Sequence, residues 1–133
     1  MNKRVVALLL GCLIFSISII FAQNTQNTLK AHFTLTDNLV EFGNIVNGKT
    51  KTIDVKFTNT GKKPLIISDV YTNCGCTEID YPREPFMPGK SGVLKISYNA
   101  IEGEGTFNKT VTIYTNAENK VETIKIQGAV IPK

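Results

Sequence analysis

Hydrophobic and polar residues alternate along much of the chain after residue 30, which is the pattern of β-strands with one buried face. Ile53, Val55 and Phe57, for example, alternate with polar residues at 52, 54 and 56. No segment shows an apolar stripe at helical spacing. The alternation predicts strands at 32–36, 40–42, 52–57, 94–98, 110–114 and 123–127.

Turn-forming residues separate these segments at short, regular intervals. Asn47-Gly48 is a dipeptide typical of hairpin turns, and Asn59-Thr60-Gly61, Pro88-Gly89 and residues 102–105 and 116–119 interrupt the later strands. The more continuous apolar run Leu65-Ile66-Ile67, with Val70, predicts a central strand. Seven to eight short strands in about 100 residues indicate an all-β fold, an antiparallel immunoglobulin-like β-sandwich.

The apolar positions of these strands supply a core between two sheets. The chain has no tryptophan and, after Cys12, no widely spaced cysteine pair, so burial of these side chains must provide most of the stability. The predicted core consists of Phe33, Phe42, Phe57, Leu65, Ile67, Leu94, Ile96, Tyr98, Phe107, Val111, Ile113, Ile124 and Ile126.

The N-terminal segment is typical of a secretory signal peptide. Lys3 and Arg4 precede an uncharged apolar run that ends at Ala22, where the chain becomes polar. We expect cleavage after Ala22, with export to the periplasm or cell surface. Two alternatives remain: an uncleaved membrane anchor, and lipidation at Cys12 within Leu9-Leu10-Gly11-Cys12. The predicted organisation is a signal peptide at 1–22, an extension with the first strand at 23–36, and an immunoglobulin-like domain at 37–133, with no integral membrane domain after cleavage.

Charge and motifs exclude several functional classes. Removing Lys3 and Arg4 lowers the formal charge from +4 to +2, and no run of like charges supports nucleic-acid binding. The single histidine, His32, has no clustered partner, and Glu102 and Glu104 lie in a glycine-rich turn where we expect them to be solvated. No catalytic motif or phosphate loop occurs. We therefore predict a protein that is not an enzyme, without catalytic residues or a cofactor.

Cys74-Gly75-Cys76 is the one place where chemistry is plausible. The Cα atoms of residues i and i+2 in a straight strand are about 6.6 Å apart, near the upper limit for a disulfide. A disulfide between Cys74 and Cys76 therefore needs a bend in the backbone, which Gly75 would permit by adopting a positive φ. A disulfide ring that encloses only one residue would be strained and easily reduced.

As a metal site, the two cysteines lack the four ligands of structural zinc. Cu(I), however, accepts two soft ligands, and Met87 is a conceivable third. The pair is thus a disulfide or redox pair, a copper(I) site, or two cysteines packed in a turn.

The proline-bearing loop from Glu78 to Ser91 carries an apolar tip at Phe86-Met87. One interpretation is a crossover with Phe86 tucked beneath it. The other is a recognition loop in which Phe86 and Met87 are exposed anchors for a partner.

Several motifs resemble a known family. The segment from Phe57 to Ile67, with its Asn-Thr-Gly and Pro-Leu elements, resembles Hydin-like immunoglobulin folds. Asn73-Cys74-Gly75-Cys76-Thr77 followed by the segment from Met87 to Gly92 is similar to the bacterial Domain of Unknown Function 1573, as are segments 105–111, 114–116 and 126–130. The resemblance covers residues 39–130. It implies an exported immunoglobulin-like domain and brings no established activity.

These observations favour a non-catalytic module of the cell envelope that binds a protein or glycan partner. A thiol-redox or copper(I)-binding protein using Cys74 and Cys76 is one alternative. A structural subunit that assembles through its edge strands is the other.

Overall fold

The computed structural model describes residues 29–133. The predicted signal peptide, its cleavage site after Ala22 and Cys12 lie outside these residues. Within residues 29–133, no helix has the length and apolar character needed to cross a membrane. The eight strands of this part of the chain are β1 Phe33–Leu35, β2 Leu39–Val46, β3 Thr50–Asn59, β4 Ile67–Thr72, β5 Thr77–Asp80, β6 Ser91–Asn99, β7 Gly105–Thr115 and β8 Val121–Ile131.

The strands form two four-stranded sheets, which confirms the predicted all-β sandwich. One sheet has the order β1-β3-β6-β5 and the other the order β2-β8-β7-β4. The first sheet is antiparallel throughout, whereas β2 pairs with β8 in parallel, so the second sheet is mixed. Only the connections β5–β6 and β7–β8 join strands of the same sheet; the other five connections between the described strands pass from one sheet to the other.

The predicted core is confirmed, because all thirteen of its residues are buried. The inner faces of the two sheets meet through aromatic rings. Tyr98 of β6 and Phe107 of β7 stack with their ring centroids 3.8 Å apart, and Phe42 of β2 packs against both rings. Burial of these rings contributes favourably to the free energy of folding.

Two expectations about strand placement are wrong. The apolar run Leu65-Ile66-Ile67 leads into β4, which begins at Ile67 and lies at the edge of its sheet, not at its centre. The run is apolar because Leu65 forms an isolated bridge with Phe86 while Ile67 enters the core. The Asn47-Gly48 turn joins β2 and β3, which belong to different sheets, so it is not a hairpin.

A buried asparagine organises one end of the sandwich. The Asn59 side chain is fully buried, and its Oδ1 accepts hydrogen bonds from the backbone N–H of His32 (3.3 Å) and Gly61 (3.0 Å). Its Nδ2 donates to the backbone carbonyls of Lys63 (2.7 Å) and Phe86 (2.9 Å). One side chain therefore joins the end of β3 to three separate loops.

Candidate functional site

The Cys-Gly-Cys segment forms the crossover from β4 in one sheet to β5 in the other. Both cysteines are buried: 6% of the surface of Cys74 and 2% of the surface of Cys76 are exposed. In the structure their sulfurs form a disulfide, with the two Cα atoms 5.2 Å apart. That Cα separation is within the range of ordinary disulfides and shorter than that of a straight strand.

The bend that closes this ring does not use the freedom of glycine, contrary to expectation. Gly75 is absent from the glycines with positive φ, and a Cβ atom added to it would meet no atom within 4 Å. The turn is closed instead by a backbone hydrogen bond from Thr77 N to the Cys74 carbonyl (3.2 Å). A residue with a side chain would fit at position 75.

Hydrogen-bond donors face both sulfurs. The backbone N–H of Cys76 donates to Cys74 Sγ at 3.2 Å, and the Thr77 hydroxyl lies 3.7 Å from Cys76 Sγ. The turn is also anchored to its surroundings, since Cys74 N donates to Thr72 Oγ1 (3.4 Å) and Asn99 N donates to the Cys76 carbonyl (2.8 Å). Donors in these positions stabilise negative charge on sulfur.

Glu102 brings a carboxylate to the disulfide, although it lies far from both cysteines in the sequence. Its Oε1 lies 3.4 Å from Cys74 Sγ, while its Oε2 forms an ion pair with Lys109 Nζ at 3.3 Å. The ligand atoms of Cys74, Cys76 and Glu102 all lie within 4.8 Å of one another. Glu102 was expected to be only a solvated turn residue, and its side chain is indeed about half exposed, at 51%.

Strand register explains this proximity. In the antiparallel pair β5–β6, Thr77 lies opposite Tyr98, so the residues preceding β5 face those following β6. Cys74 precedes β5 and Glu102 follows β6, so the pairing brings them together across 28 positions of sequence. The signal that would have revealed the contact is β5, a four-residue strand that the alternation pattern did not show.

Tyr98 lies beneath this site. Burial raises the pKa of Tyr98 above its ordinary value of 10.0, and the negative charge of Glu102 raises the pKa further, whereas Lys109 lowers it. The same residues, with Phe107, line an open depression of about 320 Å³ at the β6–β7 connection. The carboxylate side of the site is therefore open to small ions even though the sulfurs are buried.

The structure does not bring Met87 to the cysteines. Met87 lies just before the start of β6, where its carbonyl accepts a hydrogen bond from Lys90 N (3.0 Å), whereas the Cys74–Cys76 turn lies beside the end of that strand. A strand of nine residues is roughly 25–30 Å long. Any metal bound by the cysteines must take its other ligands elsewhere.

The two residues of the predicted recognition loop have different surroundings. Phe86 is half-buried and packs edge-to-face on Phe57, with the ring centroids 5.0 Å apart. Met87 is 55% exposed. Phe86 therefore supports the core, and only Met87 offers an apolar side chain to solvent. Partner recognition by this loop remains a prediction.

A second exposed apolar feature lies on the outer face of the β2-β8-β7-β4 sheet. We call Tyr71, Tyr114 and Val121 the tyrosine patch; these residues are 58%, 40% and 51% exposed. Tyr114 pairs with Val121 across β7–β8, and Tyr71 lies diagonally opposite on β4, which is an edge strand. Diagonal neighbours of this kind are about 7–8 Å apart, within reach of aromatic side chains.

Solved structures similar to this chain share its fold at low sequence identity. A protein of unknown function from Porphyromonas gingivalis W83 is 17% identical with a TM-score of 0.68; the alignment covers 82% of this chain and 51% of that one, so this chain spans about half the length of that protein. The PapD-like domain 7 of human CEP192 is 9% identical with a TM-score of 0.64, over 84% of this chain and 94% of that one. The VesB protease of Vibrio cholerae is 11% identical with a TM-score of 0.59, over 75% of this chain and 32% of that one.

At these sequence identities, the three structures show a shared fold. A search of the curated proteins found no match. A family model, described as "Protein of unknown function (DUF1573)", matches residues 22–130. Because this match covers most of the chain, the protein belongs to the DUF1573 family.

Proposed function

We propose that this protein is an exported, non-catalytic immunoglobulin-like module of the bacterial cell envelope that binds a protein or glycan partner. The observation that carries the proposal is the tyrosine patch beside the edge strand β4. Tyrosine offers a broad apolar surface with a polar tip and is enriched at binding interfaces. The adjoining strand edge offers backbone N–H and C=O groups, which favours a protein partner that adds a strand.

Export is part of the same proposal. It is supported by the basic and then apolar N-terminal segment and by the Cys74–Cys76 disulfide, since disulfides persist in oxidising compartments. Cell fractionation with N-terminal sequencing tests it, and a mature chain beginning at Gln23 is the expected result. A chain that keeps Met1 in the cytoplasmic fraction would contradict export.

Site-specific crosslinking in intact cells tests binding. A photoreactive residue at position 71 is compared with one at Lys95, which is exposed on the outer face of the other sheet. We expect an adduct from position 71 and none from position 95. The Tyr114→Ser variant should weaken the adduct while leaving the melting temperature nearly unchanged. Equal labelling at both positions, or none at either, would refute binding through this face.

The disulfide favours a second candidate, a thiol-redox protein. Mass spectrometry of protein purified from the envelope should then give a mass about 2 Da below the reduced value, recovered on mild reduction. Two alkylatable thiols in the isolated protein and no response to oxidants would exclude this role. A structural subunit that assembles through edge strands would instead give crosslinks only between copies of the chain.

A further inference from the structure

We propose that, once the Cys74–Cys76 disulfide is reduced, the two thiolates and the Glu102 carboxylate bind one Zn²⁺ ion. The inference does not depend on the partner-binding role. It rests on the contact between a carboxylate and a vicinal cysteine pair, whose ligand atoms lie within 4.8 Å of one another. The sequence motif alone offers two ligands, and the fold supplies the third.

The distances fit a tetrahedral ion with little rearrangement. With Zn–S near 2.3 Å and Zn–O near 2.1 Å, tetrahedral geometry requires an S···O separation of about 3.6 Å and an S···S separation of about 3.8 Å. The Glu102 Oε1 to Cys74 Sγ distance is already 3.4 Å. Reduction frees the sulfurs to separate by side-chain rotation, because the Cα atoms stand 5.2 Å apart.

The ligand set selects zinc over copper(I). Thiolates bind both metals, but a carboxylate is a hard ligand that suits Zn²⁺ and adds little for Cu(I). Two thiolates and one carboxylate carry three negative charges against two on the ion. Lys109, paired with Glu102 Oε2 at 3.3 Å, offsets the remaining charge and leaves Oε1 free for the metal. Glu102 also lines the open depression, so water can reach the carboxylate side of the site and supply a fourth ligand.

The groups around the sulfurs suit bound thiolates. Cys76 N donates to Cys74 Sγ (3.2 Å), and the Thr77 hydroxyl is within reach of Cys76 Sγ (3.7 Å). Such donors orient metal ligands and stabilise their charged form. Each sulfur therefore has a partner outside the metal shell.

Reduction breaks the Cys74 Sγ–Cys76 Sγ bond and leaves one proton on each sulfur. A dithiol in the cell supplies the two electrons and two protons and becomes a disulfide; in the experiment a phosphine supplies the electrons and becomes a phosphine oxide, with the oxygen and both protons coming from water. When Zn²⁺ binds, both thiol protons are released to solvent. Because zinc binds only the reduced form, a free zinc concentration 100 times the dissociation constant increases the ratio of reduced to oxidised protein by about 100-fold.

The test measures zinc binding to the purified full chain in both redox states. All samples carry Cys12→Ser, so that every titrated thiol belongs to the pair. The reduced protein, freed of phosphine, is titrated with Zn²⁺ against a colorimetric chelator, and the zinc content is measured after dialysis. We expect one zinc per reduced chain, none per oxidised chain, and protection of both thiols from alkylation.

The Glu102→Gln variant isolates the carboxylate, and Glu104→Gln is its matched control on the same loop. We expect Glu102→Gln to raise the zinc dissociation constant at least tenfold, and Glu104→Gln to change it less than twofold. Melting curves of the oxidised variants verify that both are folded. A reduced protein that binds no zinc, or binds it equally well with Glu102→Gln, overturns the proposal.

Discussion

Replacing Asn59 with alanine should severely destabilise the sandwich. The Asn59 side chain is fully buried and makes four hydrogen bonds to the backbone of three loops. Alanine removes all four and leaves the N–H groups of His32 and Gly61 and the carbonyl of Lys63 without this partner. The Phe86 carbonyl keeps a second donor, Leu65 N at 2.8 Å.

The magnitude follows from these contacts. Each hydrogen bond of this kind contributes about 1 kcal/mol net, and a buried group left unsatisfied costs about 1–3 kcal/mol. Partial access of water near exposed Lys63 reduces the cost on that side. We therefore expect the free energy of unfolding to fall by about 3–5 kcal/mol. For a domain of this size, each kcal/mol corresponds to about 4–8 °C in melting temperature.

Chemical unfolding followed by circular dichroism measures the change in the free energy of unfolding. The control is Asn108→Ala at an exposed position on β7, which should change that free energy by less than about 0.5 kcal/mol.

Asn59→Asp separates the effect of the hydrogen bonds from that of a cavity. It keeps the shape of the side chain and Oδ1, but places an anionic oxygen against the carbonyls of Lys63 and Phe86. Burial raises the pKa of such a carboxyl, so the variant should be most stable at acidic pH and lose stability as the pH rises above about 4. A loss below about 1 kcal/mol for Asn59→Ala would refute the reasoning.

Three further predictions concern the core, the glycines and Tyr98. Phe86→Ser should cost about 2 kcal/mol in urea unfolding because the ring packs on the core, whereas the exposed Met87→Ser should cost less than about 0.5 kcal/mol; equal costs would contradict this difference in burial. Gly75→Ala should leave both stability and the disulfide intact, but Gly128→Ala should cost about 2 kcal/mol because the new Cβ would lie 2.7 Å from a backbone oxygen; similar melting temperatures would refute the contrast. Because burial raises the pKa of Tyr98 in the folded state, the stability it contributes is present below pH 10 and is lost as the pH rises through the folded pKa, so Tyr98→Phe should weaken the fall in melting temperature above pH 10; an unchanged fall would contradict this.

The period of the apolar residues was sufficient to predict the sandwich and its core, because a two-residue repeat directly encodes which face of a strand is buried. It did not predict which strands are neighbours. Leu65-Ile66-Ile67 looked like a central strand because apolar density reports burial, and Leu65 is buried by its bridge to Phe86 rather than by a sheet neighbour on each side. The parallel pairing of β2 with β8 could not be predicted either, because the alternation of side chains does not show in which direction a strand runs.

The site was only half predictable. Cys74 and Cys76 were recognisable as a pair because they lie two positions apart, but whether a bend would close the ring depended on backbone geometry that spacing does not specify. Glu102 was not recognisable, because its contact with Cys74 is created by the β5–β6 register. β5 has only four residues, Thr77–Asp80, too few for alternation to distinguish it from the loop that follows.

The two cysteines and Glu102 come together only in the folded protein. The cysteines lie in the β4–β5 crossover, Glu102 in the β6–β7 crossover and Lys109 on β7, so three segments from both sheets meet there. In the unfolded chain the cysteines remain adjacent, but the carboxylate is separated from them by a long and flexible loop. A ligand that requires all three groups binds only the folded protein and stabilises it by mass action. Zinc would therefore stabilise the reduced protein against unfolding, whereas a ligand of the two thiols alone would also bind the unfolded chain and stabilise the fold less.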